Sequence, residues 1–549
     1  MTVATIDFDA EQKAIFDRLE AEYNRRIQQP YVRIWDGSWV LRGVAAVFYS
    51  AEFTEKDSDT GMGQIVMPAD YYLSKWIADE DGRTTLNVHI TVDKDGVRWS
   101  GRMDTYEYDL KEDGTSTFTV NFKHDYEELK HILVWANPFL PDAVQFPKIW
   151  LLFGPARWCC KTTLFVNIWR LESSIWQMPD DPMNFSQWTT AITGDMSNWS
   201  IVVAPTQATM DTSPFAIIDA RFKDVHTVLS PTFEDAQLTP TFRRYIDGDP
   251  LPEGFTALRN GALVVDIVDK SGWVKGTSFG GDIFSGLLYA IAQFTSDGYD
   301  DGTVSIPDPA TFPSTYYEQG YLGSDFSVPS VVYRGGPYSM ITSEQFIGMP
   351  PKDAQHVTGG HSMPGVNELI SAAIQMAGDL IAMMIGIPPI GGATDAILAP
   401  LYTDVFLAFM TWKDTGRIAD MGWSHYKETF AQGADRAYTI SSVIALRTSL
   451  WATRNNHTHK ITVRDGAPWI VGMNGYGHFY LGDRIGTTSK LTPGRIFVDR
   501  VSEITIKWDR NTAPIWQITV GQRKPFDPVL KAFQRIQAML SAIHDLGMF

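Results

Sequence analysis

The sequence predicts a β-rich α+β protein in which two similar β-barrels flank a mixed α/β middle, with an apolar helical hairpin and a C-terminal helix. Two regions, one near each end of the chain, alternate apolar and polar residues as strands do. The region between them has mixed periodicity interrupted by Pro and Gly. We therefore predict six segments: an N-terminal helix at 1–30, a first β-barrel domain at 31–130, a mixed α/β region at 131–360, an apolar helical hairpin region at 361–435, a second β-barrel domain at 436–525 and an amphipathic helix at 526–549.

The first segment has the pattern of an amphipathic helix. Asp9 is a suitable N-cap, and Pro30 follows the predicted end. Its apolar residues recur at helical spacing, namely Ile15, Phe16, Leu19, Tyr23 and Ile27.

The first β region contains "WVLRGVAAVFYSAEF", "TLNVHITVDKDGVRWSGRM" and "DTYEYDLKEDGTSTFTVNF". Asp95-Gly96 and Asp113-Gly114 are turn sequences between alternating apolar residues, and they predict two hairpins. The following stretch, "HDYEELKHILVW", changes to a helical period.

The stretch "LLFGPARWCCKTTLF" at 151–165 resembles a phosphate-binding loop, because Gly154 precedes Lys161 and a helix-like run. Such a loop needs a second glycine five residues after the first, directly before the lysine. Cys159 stands at that position, and Lys161 comes one residue late. Pro155 also lacks an N–H donor. The pattern therefore predicts a strand, a turn and a packed helix, and not an ATP site.

Residues 366–411 are apolar on nearly all sides and are broken at Pro388-Pro389. They predict a helical hairpin whose arms approach the roughly 20 residues that cross a bilayer. Because Asp379 in the first arm opposes insertion, we favour burial in protein or in an oligomer interface over membrane contact during a triggered event. The candidate plug or membrane hairpin residues are Leu380, Met383, Met384, Pro388, Pro389, Phe406 and Phe409.

Strand-like patterns return after about residue 436, in "AYTISSVIALRTSLWA", "HKITVRDGAPWIVGM", "GHFYLGDRIGTTS", "GRIFVDRVSEITIKWD" and "IWQITVGQ". Asp527-Pro528 then predicts the start of a helix. The spacing of its apolar residues is that of a coiled-coil seam over two heptads, which leaves both self-association and packing on its own chain open. The seam consists of Val529, Phe533, Ile536, Leu540 and Ile543.

The two β regions contain a weak internal repeat. When "GRMDTYEYDLKEDGTSTFTV" is placed over "DRVSEITIKWDRNTAPIWQI", apolar residues expected to face inward coincide and the central turn keeps its length. The coincident pairs are Tyr106 with Ile504, Tyr108 with Ile506, Leu110 with Trp508 and Phe118 with Trp516. This match predicts that one chain carries two similar β-barrels.

Composition excludes several classes of protein. The formal net charge is −18, from 64 acidic and 46 basic residues, so the surface repels a phosphate backbone and the chain is not expected to bind DNA or RNA. The only two cysteines, Cys159 and Cys160, are adjacent, and a bridge between neighbours is strained. We expect buried free thiols, which fit assembly in a reducing cytoplasm, and the first residues show no secretion signal.

No pattern in the sequence amounts to a catalytic or metal site. His457 and His459 have the spacing of a zinc pair, but they lie in a predicted loop before a strand, and a cell-wall endopeptidase of this kind would need further ligands from an upstream His-x-x-x-Asp pattern. His356 and His361 form a second loose pair without an acidic cluster nearby. We predict no catalytic residues, no metal and no cofactor.

Several stretches resemble minor tail proteins of actinobacterial siphoviruses, mycobacteriophages in particular. They are "WDGSWVLRG", "VHITVDKDGVRWSGRM", "HDYEELKHILVWANPFLP" and "QFPKIWLLFGPARW" with "KTTLFVNIWRLE". The resemblance covers most of the chain and implies a structural hub protein, a homotrimer at the distal end of the phage tail. The partners that it implies are a hexameric distal tail protein, the tape-measure protein and other minor tail proteins. Three copies would present six barrels to a six-fold ring.

The resemblance also implies a function for the negative net charge of the chain. Three copies, each with a net charge of −18, together carry −54. A lumen with this negative charge would let DNA pass without specific binding. The hairpin would then act as a plug, or contact the tape measure or the host envelope on ejection. Some relatives carry a C-terminal peptidoglycan hydrolase, but only 526–549 follows the second β region here, so we expect no enzyme. A cell-wall hydrolase and a receptor-binding tail protein are the alternatives.

Overall fold

The computed structural model describes most of the chain. Positions 113, 212, 214, 237, 490 and 492–494 lie outside the description, and only single residues are described between 174 and 193 and between 446 and 453. The described ranges are 8–173, 194–270, 304–307, 331–335, 341–361, 408–431, 456–463 and 469–521.

The N-terminal part is one helix followed by antiparallel strands, as predicted. A short 3₁₀ helix, Asp125–Lys130, follows the last of these strands where the sequence period changes. The elements are α1 (Phe8–Ile27), β1 (Tyr31–Asp36), β2 (Leu41–Val44), β3 (Ser50–Lys56), β4 (Met62–Pro68), α2 (Tyr72–Ala78), β5 (Val88–Lys94), β6 (Val97–Leu110) and β7 (Ser116–His124).

Both predicted turns are present. Asp95 and Gly96 connect β5 to β6 with φ angles of 50° and 79°, the two left-handed residues that a tight hairpin turn requires. Gly114, with φ 78°, lies between β6 and β7. Gly suits these positions because it adopts this conformation without strain, and Asp tolerates it at position 95.

The middle part forms a second body of sheet and helix. "LLFGPARWCC" folds into the predicted strand and helix, but the strand ends at Pro155 and the helix begins at Ala156, so no separate turn lies between them. The elements are β8 (Leu133–Val134), β9 (Trp150–Pro155), α3 (Ala156–Ser173), β10 (Ile201–Val203), β11 (Phe215–Ala220), β12 (Lys223–Asp224), α4 (Val225–Asp235), β13 (Leu238–Arg244) and β14 (Leu263–Asp269). β13, β14 and β10 form a three-stranded sheet, and β9 pairs with β11.

The C-terminal part is also mostly strands. Its elements are β15 (Val304–Pro307), β16 (Val332–Tyr333), β17 (Ile341–Met349), β18 (Asp353–Gly359), β19 (Phe409–Lys413), α5 (Thr415–Met421), β20 (Tyr426–Phe430), β21 (Asn456–Val463), β22 (Arg484–Thr487), β23 (Arg495–Asp509) and β24 (Ile515–Val520). The protein is thus a β-rich α+β structure with few helices, as the sequence predicts.

The two predicted β regions belong to one 14-stranded sheet. Its path is β17-β21-β24-β23-β3-β4-β7-β6-β5-β1-β2, and the junction is the pairing of β23 with β3, from Glu503 opposite Lys56 to Asp509 opposite Ser50. Among the described residues these pairings close neither region into a barrel of its own. Both regions also share one hydrophobic core, which includes Ile34, Phe53, Ile65, Phe122, Ile461, Ile504 and Ile518.

The internal repeat is present in the strand register. Tyr108 pairs with Phe118 in the first hairpin, and Ile506 pairs with Trp516 at the equivalent place in the second. The register shifts between Met103 and Thr105 in β6, and at the equivalent step between Val501 and Glu503 in β23. β5 pairs with the start of β6 as β22 pairs with the start of β23. The repeat therefore extends over three strands and includes a shared irregularity.

The prediction that Tyr108 and Leu110 face inward is wrong. They are 58% and 65% exposed, whereas the equivalent Ile506 and Trp508 are buried. The cause is a neighbouring strand: β3 covers this part of β23, but β5 pairs with β6 only up to Arg102. The same apolar pattern is therefore buried in one hairpin and exposed in the other.

Two further predictions need correction. Phe409, placed in the second helical arm of the hairpin, begins strand β19, because it pairs with Gly359 of β18. In "AYTISSVIALRTSLWA", interpreted as a strand, the described residues Leu446 and Ser449 are helical, and the Thr453 N–H donates to the Ser449 carbonyl. The β-branched residues of this stretch therefore did not predict its secondary structure correctly.

The six other candidate hairpin residues and the five seam residues all lie outside the described part of the chain. Those of the hairpin are Leu380, Met383, Met384, Pro388, Pro389 and Phe406, and those of the seam are Val529, Phe533, Ile536, Leu540 and Ile543.

Candidate interaction surfaces and a buried junction

A buried ion pair joins the large sheet to the middle part. Arg244 of β13 donates from Nε and Nη2 to the two carboxylate oxygens of Asp125, at 2.9 and 2.7 Å, and the Ser100 hydroxyl also donates to Asp125. Burial by itself raises the pKa of Asp125, but the charge and hydrogen bonds of Arg244, with the bond from Ser100, outweigh it and lower the pKa to about 2. The carboxylate stays ionised and fully paired, so it cannot act as a proton donor at neutral pH.

A second group of charges lies beside this pair. Arg98 of β6 donates from Nε to Asp93 at 2.6 Å, contacts the carboxylate of Asp249, and donates from Nη1 to the Arg244 carbonyl at 2.8 Å. Arg33 of β1 donates to the other oxygen of Asp93 at 2.6 Å. Since each carboxylate faces a guanidinium, the group holds strands together and leaves no free acid for chemistry.

Aromatic side chains also pack at the junction between the large sheet and the middle part. Trp39 stacks on His89 with ring centroids 4.7 Å apart, and the guanidinium carbon of Arg244 lies 4.8 Å from the Trp39 centroid. Burial, and next the charge of Arg244, lower the pKa of His89 to about 3, so this histidine is neutral. Gly261, with φ 84°, lies directly against the Trp39 ring.

Helix α1 is an exposed surface anchored at one end. None of its residues is buried, and Phe16 and Tyr23 are 60% and 61% exposed. Near its C-terminal end, Arg25 Nε donates to Asp95 Oδ1 at 2.8 Å and Arg26 Nη1 donates to the Trp469 carbonyl at 3.0 Å. Lys94 Nζ in turn donates to the Arg25 carbonyl at 3.1 Å. The predicted amphipathic helix is confirmed, but its apolar stripe faces outward.

A second exposed surface is the outer face of the small sheet β19-β18-β20. Phe409 and Phe430 lie on this face, beside Gly359 and Val357 of the central strand, and are 52% and 53% exposed. Tyr426 at the start of β20 is exposed as well. Aromatic side chains in this number on one face are typical of a contact surface.

The structure gives one histidine of each pair, His459 and His356, a structural role. His457 and His459 are both in strand β21, and not in the predicted loop. His459 is buried, with Nδ1 2.7 Å from the Thr487 hydroxyl and Nε2 3.2 Å from a Glu344 carboxylate oxygen. His356 is buried with Nδ1 2.7 Å from the Ser449 hydroxyl. Within the described ranges no group of three His, Cys, Asp or Glu residues is placed to hold a metal ion.

The lysine of the apparent phosphate loop is also held in an ion pair within the fold. Lys161 is buried and ion-paired with Asp266 of β14, and Cys159 and Cys160 beside it are buried free thiols, as predicted. Burial raises the pKa of Cys159 to about 12, with Asp211 adding to the effect, so the thiolate is disfavoured. In the part of the chain that the structure describes, no helix is long and apolar enough to cross a membrane.

The comparison with known proteins identifies the family. The model of the family described as Siphovirus ReqiPepy6 Gp37-like protein matches residues 31–522. The chain belongs to this family. The Gp37-like chain is also similar to Minor tail protein Gp28 of Mycobacterium phage L5, with 35% identity over 585 aligned positions that cover 98% of each protein. Minor tail protein Gp28 of Mycobacterium phage D29 is 35% identical over 95% of each protein. The resemblance to mycobacteriophage minor tail proteins is thus confirmed.

Among solved structures, a tail protein from Neisseria meningitidis MC58 matches the Gp37-like chain with a TM-score of 0.37 and 10% identity, covering 92% of this chain and 99% of that one. At this TM-score the likeness is not evidence for a shared function.

Sequence reasoning missed the buried junction of this Gp37-like protein. One signal was available: Arg244 follows Phe242 at strand spacing in "TPTFRRYI", so a charge stands where an apolar residue is expected. A buried arginine needs an oppositely charged partner beside it. The partner of Arg244 is Asp125, which is distant in sequence.

Proposed function

We propose that this protein is a structural hub of the phage tail tip, which closes the distal end of the tail tube and takes part in host attachment and DNA ejection. Its 35% identity to minor tail proteins over nearly the full chain supports a place in the virion tail. At the junction the buried charges of Arg244 and Asp125 are paired with each other, an arrangement that serves cohesion and not turnover. The protein is therefore proposed to be no enzyme and to need no cofactor.

The observation that carries the proposal is the duplicated three-stranded unit. β5-β6-β7 and β22-β23-β24 share their strand order, and the pairs β6-β7 and β23-β24 share their register and the position of a register shift. We take them as the nuclei of the two similar hub domains, at 31–130 and 436–525. Three chains then present six such units, which suits a six-fold partner.

The difference between the two units indicates where copies meet. Beyond Arg102, the side of β6 that faces away from β7 has no pairing strand among the described residues, whereas β3 covers the equivalent part of β23. Tyr108 and Leu110 stand exposed at this edge. An unpaired edge with apolar side chains favours addition of a strand. A strand of the neighbouring copy is proposed to pair here and form the homotrimer.

The partners follow from this position in the tail. They are the hexameric distal tail protein above the hub, the tape-measure protein inside it and other minor tail proteins around it. With −18 on each chain, the trimer repels DNA phosphates, so DNA passes the lumen without specific binding. Assembly takes place in the host cytoplasm before the tail is complete.

The apolar hairpin is proposed to plug the tip, or to engage the tape measure or host envelope on ejection. Deleting 369–407 removes most of the apolar segment and spares strand β19. The expected result is assembled tails that adsorb but do not eject DNA, measured by potassium efflux from host cells or by release of labelled DNA. Normal infection by such particles would refute this role.

The decisive experiment for the hub is the copy number in purified virions, measured by quantitative mass spectrometry against the tail-tube subunit. About three copies per particle supports the closed trimer that the hub requires. Six or more copies would replace it with a peripheral ring or a receptor binder, and absence from the particle would reopen the enzyme.

A receptor-binding function is the second candidate, and the aromatic face of β19-β18-β20 favours it. Exposed rings stack on sugar faces, as they do on other planar apolar surfaces. Replacing Phe409 and Phe430 by Ala should then weaken binding of the purified protein to host cell envelopes. The matched control is Phe146→Ala, since Phe146 is an exposed aromatic residue outside this sheet.

The hydrolase alternative is tested directly by zymography on host peptidoglycan. Because His459 is buried and contacts Thr487 and Glu344, we expect the parent protein not to digest peptidoglycan and to leave no clear zone in the gel. Clearing that is lost in His457→Ala and His459→Ala would establish the enzyme instead.

A further inference from the structure

The outward stripe of α1 needs an explanation that the hub proposal does not supply. A 20-residue helix with no buried residue is marginal in water, because helices of this kind draw their stability from a packed apolar face. Among the described residues, the contacts of Arg25 and Arg26 anchor its C-terminal end. The remaining length therefore requires something that covers the stripe.

We propose that the C-terminal segment of the same chain, residues 522–549, packs against α1 as an antiparallel helix. Three observations support this occupant: the attachment points of the two segments, the match of their apolar stripes, and their opposite charges.

A chain of contacts connects the starting points of the two segments. α1 is anchored to Trp469 and Tyr476, and the Gly521 N–H, at the end of β24, donates to the Arg500 carbonyl. The Arg500 side chain in turn donates to the Gly482 carbonyl at 3.2 Å. α1 therefore contacts the stretch 469–482 directly, and Gly521 is linked to it through Arg500. The residues 522–529 reach up to roughly 29 Å when extended, which is the span available to bring the seam alongside the anchored end of α1.

The stripes match in length and spacing. The α1 stripe from Ile15 to Ile27 is about 18 Å long, and the seam from Val529 to Ile543 is about 21 Å long if helical. In the proposed packing the seam begins beside the anchored C-terminal end of α1, so the two helices run antiparallel. Leu19 and Ile536 then lie near the middle of the contact.

The charges are complementary. Residues 8–24, which exclude the anchoring arginines, carry five acidic against two basic side chains, a net −3. Residues 522–549 carry four basic against two acidic side chains, a net +2, in a protein whose total is −18. Antiparallel packing brings Lys531 and Arg535 to the part of α1 that holds Glu20 and Glu22.

The test is hydrogen exchange of α1 in the full chain, read by mass spectrometry. Phe533→Asp with Leu540→Asp breaks the seam, and Gln534→Asp with Ala538→Asp adds the same charge on the opposite side of the predicted helix. The seam variant should raise exchange over residues 8–24 at least tenfold, and the control variant and the β6-β7 hairpin should keep the parent rates. Equal α1 exchange in the two variants would overturn the proposal.

A second measurement identifies which chain supplies the segment. Leu19→Cys with Ile536→Cys should form a disulfide within one chain under mild oxidation, at a yield independent of protein concentration. The native thiols do not interfere because Cys159 and Cys160 are buried. A disulfide that joins two chains, or no disulfide at all, would overturn packing on the same chain.

Discussion

Arg244 and Asp125 form a bidentate ion pair in which both side chains are almost fully buried, 5% and 1% exposed. Arg244 belongs to the sheet of the middle part, and Asp125 follows the last strand of the first β region. The pair therefore ties together two bodies that have separate hydrophobic cores. Their relative position depends on buried charge and not on apolar contact alone.

Removal of one partner should be costly. Asp125→Ala leaves the Arg244 guanidinium buried without its counter-charge, and we expect a loss of about 3–5 kcal/mol in the free energy of unfolding. The measurement is urea denaturation followed by Trp fluorescence. Lys123→Ala is the control, because its ion pair with Asp104 is exposed and should contribute less than about 1 kcal/mol. Equal losses in the two variants would contradict the role of the junction.

Acid should weaken the protein through His89. Its pKa is about 3 in the folded protein and 6.5 in the unfolded chain, so below pH 6.5 the unfolded chain binds a proton that the folded protein does not. This contribution to stability is complete above pH 6.5 and is lost as the pH falls toward 3, at about 1.4 kcal/mol per pH unit. His89→Gln should flatten the dependence of stability on pH between 6 and 4.

The comparison uses slopes and not absolute stabilities, since His89→Gln also disturbs stacking on Trp39. His131→Gln on the surface is the control for loss of a histidine. If the His89 variant keeps the slope of the parent, burial of a neutral imidazole is not what this residue contributes.

Gly261 should not accept a side chain. A Cβ there would collide with the Trp39 ring, and φ is 84°, so we expect Gly261→Ala to destabilise the protein by roughly 1–3 kcal/mol. Gly248→Ala separates the two causes, because Gly248 also has a positive φ, 99°, but nothing lies within 4 Å of the added Cβ. A thermal melt of both variants should show the larger loss at Gly261. The opposite order would mean that backbone strain outweighs the aromatic contact.

The two free thiols should not react with thiol reagents in the native protein. Cys159 and Cys160 are buried, and the raised pKa of Cys159 keeps it protonated at pH 8. A colorimetric disulfide reagent should therefore react at the rate at which the protein opens, and immediately in guanidinium chloride. Fast reaction of the native protein would show that α3 is accessible.

The open edge of β6 gives a test of assembly. Tyr108→Glu with Leu110→Glu should leave the monomer folded, because both side chains are exposed, but should abolish the proposed trimer by placing charge at the pairing edge. Sedimentation equilibrium should show a threefold lower mass than the parent. Ile506→Glu, at the equivalent buried position, should instead unfold the protein. A parent that is monomeric, or a variant that keeps the parent mass, would refute pairing through this edge.

Local structure was predictable where short-range chemistry dominates. Asp95-Gly96 and Gly114 have the backbone freedom that their turns need, so both hairpins could be derived from sequence. Helix α1 followed from spacing, and the strand and helix around Cys159 followed from rejection of the phosphate loop, although the predicted turn between them is absent. The error at Phe409 arose because an apolar run has no periodicity that distinguishes a buried helix from a strand.

The sequence by itself determined the elements, the repeat and the family resemblance, because turn chemistry, alternation and charge are local properties of the chain. Only the tertiary structure decided that β3 lies beside β23, which buries Ile506 and leaves the equivalent Tyr108 exposed. It also decided that Arg244 meets Asp125. The physical reason is the same in both cases: burial and pairing depend on which distant segment arrives next to a residue, and neighbouring sequence does not contain that information.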